Sequence, residues 1–181
     1  IPGVTSYVWA TNTNYIKASA YISSTNYAAE SYLISPVIDM TGASNPVLKF
    51  FNVARYGSDN ENQLTLWLRE KDGAWVQKAF SNYGDGSSWT MVSNTIDVSE
   101  YKDKTLQFAL RYKSSSSSAP TWEIQKVYVD EAPTLSSIAW SGYTTTYSIG
   151  GTFKKDGKVL ATYSDGDVID VTSEAVFSDP D

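Results

Sequence analysis

Exposed aromatic rings beside hydrogen-bonding groups are the chemistry this sequence offers most readily. A flat apolar ring face stacks on a pyranose while polar neighbours bond its hydroxyls. Trp67, Arg69 and Trp75 are the residues that can form such a platform. Leu64, Leu66 and Leu68 alternate with Thr65, Trp67 and Arg69, so one face of that strand is apolar and the other carries the tryptophan and the arginine. A three-residue Lys71-Asp72-Gly73 hairpin loop, with the glycine left-handed, returns Val76 to the core face and sets Trp75 outside beside Arg69. A two-residue Asp72-Gly73 loop reverses both placements. The competing reading is that each tryptophan covers the second sheet face or docks against a neighbouring module.

Other chemistries are narrowly bounded. The chain has no cysteine and no histidine, which removes disulfides, thiolate chemistry, Cys/His zinc sites and His-dependent triads. Paired carboxylates work in glycosidases at separations of roughly 5–9.5 Å, but no spacing among the 20 acids singles out a pair. The sequence therefore reads as non-catalytic. Asp59-Asn60-Glu61-Asn62 is rich in oxygen ligands but lacks the spacing of a calcium loop, and reads as a polar turn. A net charge of -6 argues against nucleic acid or an anionic membrane as partner. No apolar run approaches the ~20 residues that span a bilayer.

The elements that must position these residues are strands. Aromatics make up 14% of the chain and serine and threonine abound, a composition suited to pleated, half-buried surfaces. Tyr15 to Ser23 alternates Ile16, Ala18, Ala20 and Ile22 against Tyr15, Lys17, Ser19 and Tyr21. Val47 to Arg55 alternates more weakly, as a strand covered on both faces does. Thr105 to Tyr112 puts Leu106, Phe108, Leu110 and Tyr112 inward, with Gln107, Ala109 and Arg111 outward; an outward arginine on a sheet reads as a cross-strand partner. Trp122 and Ile124 share one parity and Val127 and Val129 the other, so either a β-bulge falls at Gln125-Lys126 or both faces are covered. Ser114 to Ser118 reads as a solvated loop.

Glu30 to Gly42 (E-S-Y-L-I-S-P-V-I-D-M-T-G) combines a β-prone run, a proline that ends its ladder and a Thr-Gly turn, the signature of an edge strand. The block resembles the S-W-L-I-S-P-x-I-D-x-(S/T)-G signature of the choice-of-anchor J family, extracellular β-sandwich domains akin to the cleaved-adhesin and MAM-like jelly rolls. Ile96 to Tyr112 and Thr121 to Val129 are similar, in the correct order, to two further blocks of that family. The resemblance implies a jelly-roll β-sandwich and an extracellular or bacterial cell-surface setting of the Bacteroides type. It also implies a structural calcium: in related cleaved-adhesin domains, carboxylates at the positions of Glu30 and Gln125 help hold one. Here the second position is a glutamine followed by Lys126, a cation that opposes the ion unless it points away. The competing role for Glu30 is a solvated edge carboxylate or a salt bridge.

The pattern changes at Asp130-Glu131-Ala132-Pro133, and so does the charge, with three lysines against seven carboxylates from Pro133 onward. Short strands are expected at Leu135 to Ser141, Thr144 to Ile149, Thr152-Phe153, Val159 to Tyr163 and Val168 to Val171, separated by Gly-containing turns. This stretch resembles bacterial Ig-like repeats, which are longer, so the resemblance implies a truncated module. The chain begins with Ile1 and reads as a processed or excised piece. The expectation is an all-β chain with a jelly-roll domain over residues 1–132 and an incomplete Ig-like sandwich over 133–181. Its role is adhesion or carbohydrate binding, with a glycan or cell-surface protein as partner and other domains of the same larger protein as neighbours. The alternatives are a ligand-free spacer and, third, a hydrolase using paired carboxylates.

Overall fold

In a computed structural model the chain forms two compact units, Ile1–Glu131 and Ala132–Asp181, described over residues 8–146, 148–152 and 156–176. The first unit holds β1 (Trp9–Thr11), β2 (Ile16–Ser19), β3 (Tyr21–Ile22), β4 (Thr25–Asn26), β5 (Ala29–Ile34), β6 (Ile38–Asp39), β7 (Pro46–Arg55), β8 (Leu64–Arg69), β9 (Val76–Lys78), β10 (Val92–Asp97), β11 (Thr105–Ser114) and β12 (Thr121–Glu131). A single helical turn, α1 (Asn60–Gln63), precedes β8. The Asp59–Asn62 segment is thus a polar turn, its Asn62 amide donating to both Asp59 carboxylate oxygens.

Two antiparallel sheets face each other, one in the order β1-β2-β12-β7-β10 and the other β5-β11-β8-β9, with β6 also pairing β11. Both sheets join strands distant in the chain, with β12 between β2 and β7 and β11 between β5 and β8. The fold is the all-β sandwich expected from the sequence.

The core follows the period-2 patterns. Leu64, Leu66, Leu68, Leu106, Leu110 and Tyr112 from one sheet meet Leu48, Phe50, Ala54 and Trp122 from the other, all fully buried. The Trp9 indole nitrogen is buried in this core without a partner, but the central polar groups are paired, as low dielectric demands. The Trp122 indole donates to Asn52 Oδ1 at 2.8 Å, and the Tyr112 hydroxyl accepts from Ala20 N and donates to the Pro120 carbonyl. β7 is covered on both faces, with Val47 and Val53 buried alongside Leu48 and Phe50.

The Glu30–Gly42 block is an edge strand followed by a break and a turn. β5 pairs only β11, pairing lapses through Ser35–Val37, and Gly42 takes φ 78°. The break at the end of β12's first half is a bulge: the register against β7 shifts between Gln125 and Val127, and Lys126 has φ 50°. Ser115–Ser118 is a loop, whereas Ser114, expected as its first residue, ends β11 and is buried.

Three expectations need correction. Ile22 is exposed rather than buried, because Ser23 and Ser24 both take positive φ and fold β3 back on β4 as a small hairpin outside the core. In the β8–β9 turn the left-handed residue is Asp72 (φ 64°), not Gly73, whose N–H donates to the Glu70 carbonyl at 3.0 Å. Aspartate tolerates that region better than most side chains do. In the second unit the strands are β13 (Leu135–Ser141), β14 (Lys158–Tyr163) and β15 (Val168–Asp170), joined as one antiparallel sheet. The described residues of Thr144 to Ile149 are not a strand, and Phe153 lies outside the described residues.

Candidate ligand-binding groove

The outer face of the β5-β11-β8-β9 sheet carries the side chains with the chemistry. Pairing puts Leu66 opposite Lys78, Trp67 opposite Gln77 and Leu68 opposite Val76. This register sets Val76 on the face of the inward leucines, although as an edge residue it stays exposed, and leaves Trp75 on the outer face beside Arg69. Ile34, Ala109, Trp67 and Gln77 form one row across the four strands, and Tyr32, Arg111 and Thr65 form the next. Ala109 is the smallest residue in its row. A methyl group between longer neighbours leaves a groove of about 580 Å³, lined by Glu30, Tyr32, Trp67, Trp75, Gln77, Ala109 and Arg111.

The aromatic wall is held in place from below. The Trp67 indole N–H donates to Thr65 Oγ1 at 2.9 Å, two residues back on the same strand face. The ring therefore lies along the strand and buries Thr65. Its donor is used inward, so what it offers a ligand is its ring. The Arg69 guanidinium sits 4.4 Å from the centre of the Trp75 ring, a cation–π contact. Arg69 Nε also donates to Gln107 Oε1 at 2.8 Å, and Gln107 in turn donates to the Ser35 carbonyl.

The polar wall is a compact trio. Glu30 Oε1 accepts both the Tyr32 hydroxyl at 2.7 Å and Arg111 Nε at 2.8 Å. Glu30 and Arg111 are diagonal neighbours across β5 and β11, because Glu30 faces Lys113 and Tyr32 faces Arg111. Burial pushes the Glu30 carboxyl up, but the hydrogen bonds from Tyr32 and Arg111 and the Arg111 charge outweigh it, so its pKa lies below the ordinary value. Burial and the Glu30 carboxylate together push the Tyr32 phenol up. Glu30 Oε2 accepts no hydrogen bond among the described residues and is a free acceptor of the groove.

The groove brings together Trp67 and Trp75 as the sequence suggested, but it changes the role of Arg69, which backs Trp75 instead of lining the groove. Arg111 lines the groove as well as pairing across strands. Tyr32, Ala109 and Gln77 were missed. Outward parity alone marks all three, but only the strand order puts them side by side.

Glu30 and Gln125 are not brought together. Glu30 belongs to this groove, whereas Gln125 sits at the bulge of β12 in the other sheet and lines a separate, mostly apolar cleft with Ile16, Leu33 and Phe108. The residues do not fit a calcium ion at Glu30. Its Oε1 is occupied by two donors, and a guanidinium 2.8 Å away opposes a divalent cation. No cluster of three or more acidic, His or Cys residues able to hold a metal occurs among the described residues. No described helix is long and apolar enough to cross a membrane.

No family model matches the chain, and no curated protein matches it. Among solved structures it is similar to a mutant of xylanase 10C from Cellvibrio japonicus in complex with xylopentaose, with a TM-score of 0.39 and 13% identity over 72% of this chain. The matched part is 26% of that protein, so this chain spans about a quarter of its length. Likeness at that level transfers neither activity nor ligand.

Proposed function

We propose that the protein is a non-catalytic, extracellular module of a bacterial surface protein, akin to the choice-of-anchor J jelly rolls, and that its outer groove binds glycan. The observation that carries the reading is the pairing of two tryptophans with the Glu30–Tyr32–Arg111 trio across an alanine floor. Stacking on Trp67 and Trp75 supplies affinity. Glu30 Oε2 as acceptor and Arg111 as donor supply orientation on neighbouring hydroxyls. Among the described residues Glu30 is the single carboxylate lining the groove, and it is ion-paired, an arrangement unlike the two free carboxyl groups of glycoside hydrolysis.

A glycan array with the intact chain tests the reading, followed by titration calorimetry on any hit. Trp67→Ala and Trp75→Ala are each expected to weaken binding about tenfold or more, equivalent to about 1.4 kcal/mol. The double variant should abolish binding with circular dichroism unchanged. Silence across the array would leave the chain as an architectural spacer.

A further inference from the structure

A second aromatic cluster lies on the outer face of the opposite sheet and shares no residue with the groove. Tyr56, at the end of β7, is 66% exposed and holds φ 65°, a backbone region that bulky side chains rarely adopt. Such strain persists where the surroundings impose it, and it gathers at binding sites. Beside it the Arg55 guanidinium lies 4.8 Å from the Tyr56 ring centre and 4.9 Å from that of Trp89. Trp89 is itself 41% exposed. It is carried over the sheet by a loop that starts at Gly84, where a Cβ would come within 3.2 Å of Val53 and φ is 85°. Arg55 Nε is buried with no hydrogen-bond partner. An unsatisfied donor of that kind is costly, and the guanidinium's stacking on these two rings is the contact that offsets it.

The ring of Tyr56, backed by Arg55, forms one wall of a cleft of about 490 Å³. Tyr21 lines the same cleft from the β3 hairpin, with Asn26, Ala119 and Thr121 completing it. No lining residue is charged. The Asn26 amide nitrogen donates to the Ser117 carbonyl, which leaves its Oδ1 as an acceptor, and the Thr121 hydroxyl exchanges a hydrogen bond with Ser19. Two aromatic rings over neutral amide and hydroxyl groups suit a ligand with apolar ring faces and uncharged hydroxyls.

We propose that the cleft between Tyr21 and Tyr56 is a second ligand site, which takes one uncharged pyranose ring. Sites on the two outer faces of one sandwich let a single domain engage two sugar chains, or two points on one surface, and so raise avidity without new contacts.

The test uses the full chain carrying Trp67→Ala and Trp75→Ala, so that the groove contributes nothing. Saturation-transfer NMR is run with the methyl pyranosides of glucose, galactose and mannose at millimolar concentration. At least one is expected to receive saturation, and adding Tyr21→Ala or Tyr56→Asn should weaken it about tenfold. Asparagine tolerates the left-handed backbone, so the second variant keeps its fold, checked by a thermal midpoint no lower than its parent. The proposal is overturned if no methyl pyranoside contacts the groove-less chain, or if contact persists unchanged in both variants. The groove reading is untouched by either outcome.

Discussion

Glu30 is held by two donors at once, the Tyr32 hydroxyl and the Arg111 guanidinium. Its side chain and that of Arg111 are 29% and 15% exposed, so the pair is shielded enough to matter without being sealed from water. The folded pKa of Glu30 is lowered, so its contribution is complete above the unfolded value near 4.5 and is lost as pH falls through the folded value. Arg111→Ala should cost about 1–3 kcal/mol in urea denaturation at neutral pH, with the deficit shrinking in acid as Glu30 protonates. Glu123 behaves in the opposite sense. It is buried on the outer face of β12; burial raises its pKa, only partly countered by Tyr15 and Lys17. Stability is therefore lost as pH rises from the unfolded value through this raised one. Glu123→Gln is expected to raise the thermal midpoint at neutral pH, with the two proteins converging below the unfolded value. An unchanged difference across that range would remove Glu123 as the cause.

At the level of elements, β11 is the organiser. It pairs β5 and β6 along one side and β8 along the other, so its outward residues form the middle of the groove. The β8–β9 hairpin matters as much, because a register slip of one residue would carry Trp75 to the opposite face. The β12 bulge has a different cost. Lys126 holds a left-handed conformation unfavourable for a side chain by about 1–2 kcal/mol, part of which glycine returns as chain entropy. Lys126→Gly should therefore stabilise the protein by about 0.5–1 kcal/mol in chemical denaturation. A loss would mean that the lysine side chain makes a contact worth more than the strain.

Across the whole molecule the two units differ in how they are held. The first has a continuous two-sheet core. In the second, Val159 and Ala161 are the buried apolar residues among those described, while Leu135, Ile138, Val168 and Ile169 are exposed. Amide exchange depends on the free energy of opening each unit. The amides of β7, β11 and β12 should thus be protected far longer than those of β13, β14 and β15, as followed by mass spectrometry of peptic fragments. Equal protection would show that the second unit draws on a core not formed by these residues alone.

Much of this architecture is legible along the chain. Alternation marks β8 and β11, Pro36 and Gly42 mark where the edge strand ends, and the parity change after Ile124 marks either a bulge or a strand covered on both faces. The absence of histidine and cysteine bounds the chemistry. Each of these signals is local, carried by residues within a few positions of one another, and backbone sterics and solvent act at that range. The candidate sites are not local. Arg111 reaches Glu30 across 81 positions, and Tyr21 and Tyr56 share a cleft although they come from different strands. Alternation tells which side of a strand a residue faces, but not which strand lies next to it. Strand order decided that Arg69 backs Trp75, that Ala109 opens the groove and that Glu30 meets a cation rather than the acceptor at Gln125. Sheet order is settled by the packing of the whole sandwich, and only the tertiary structure records it.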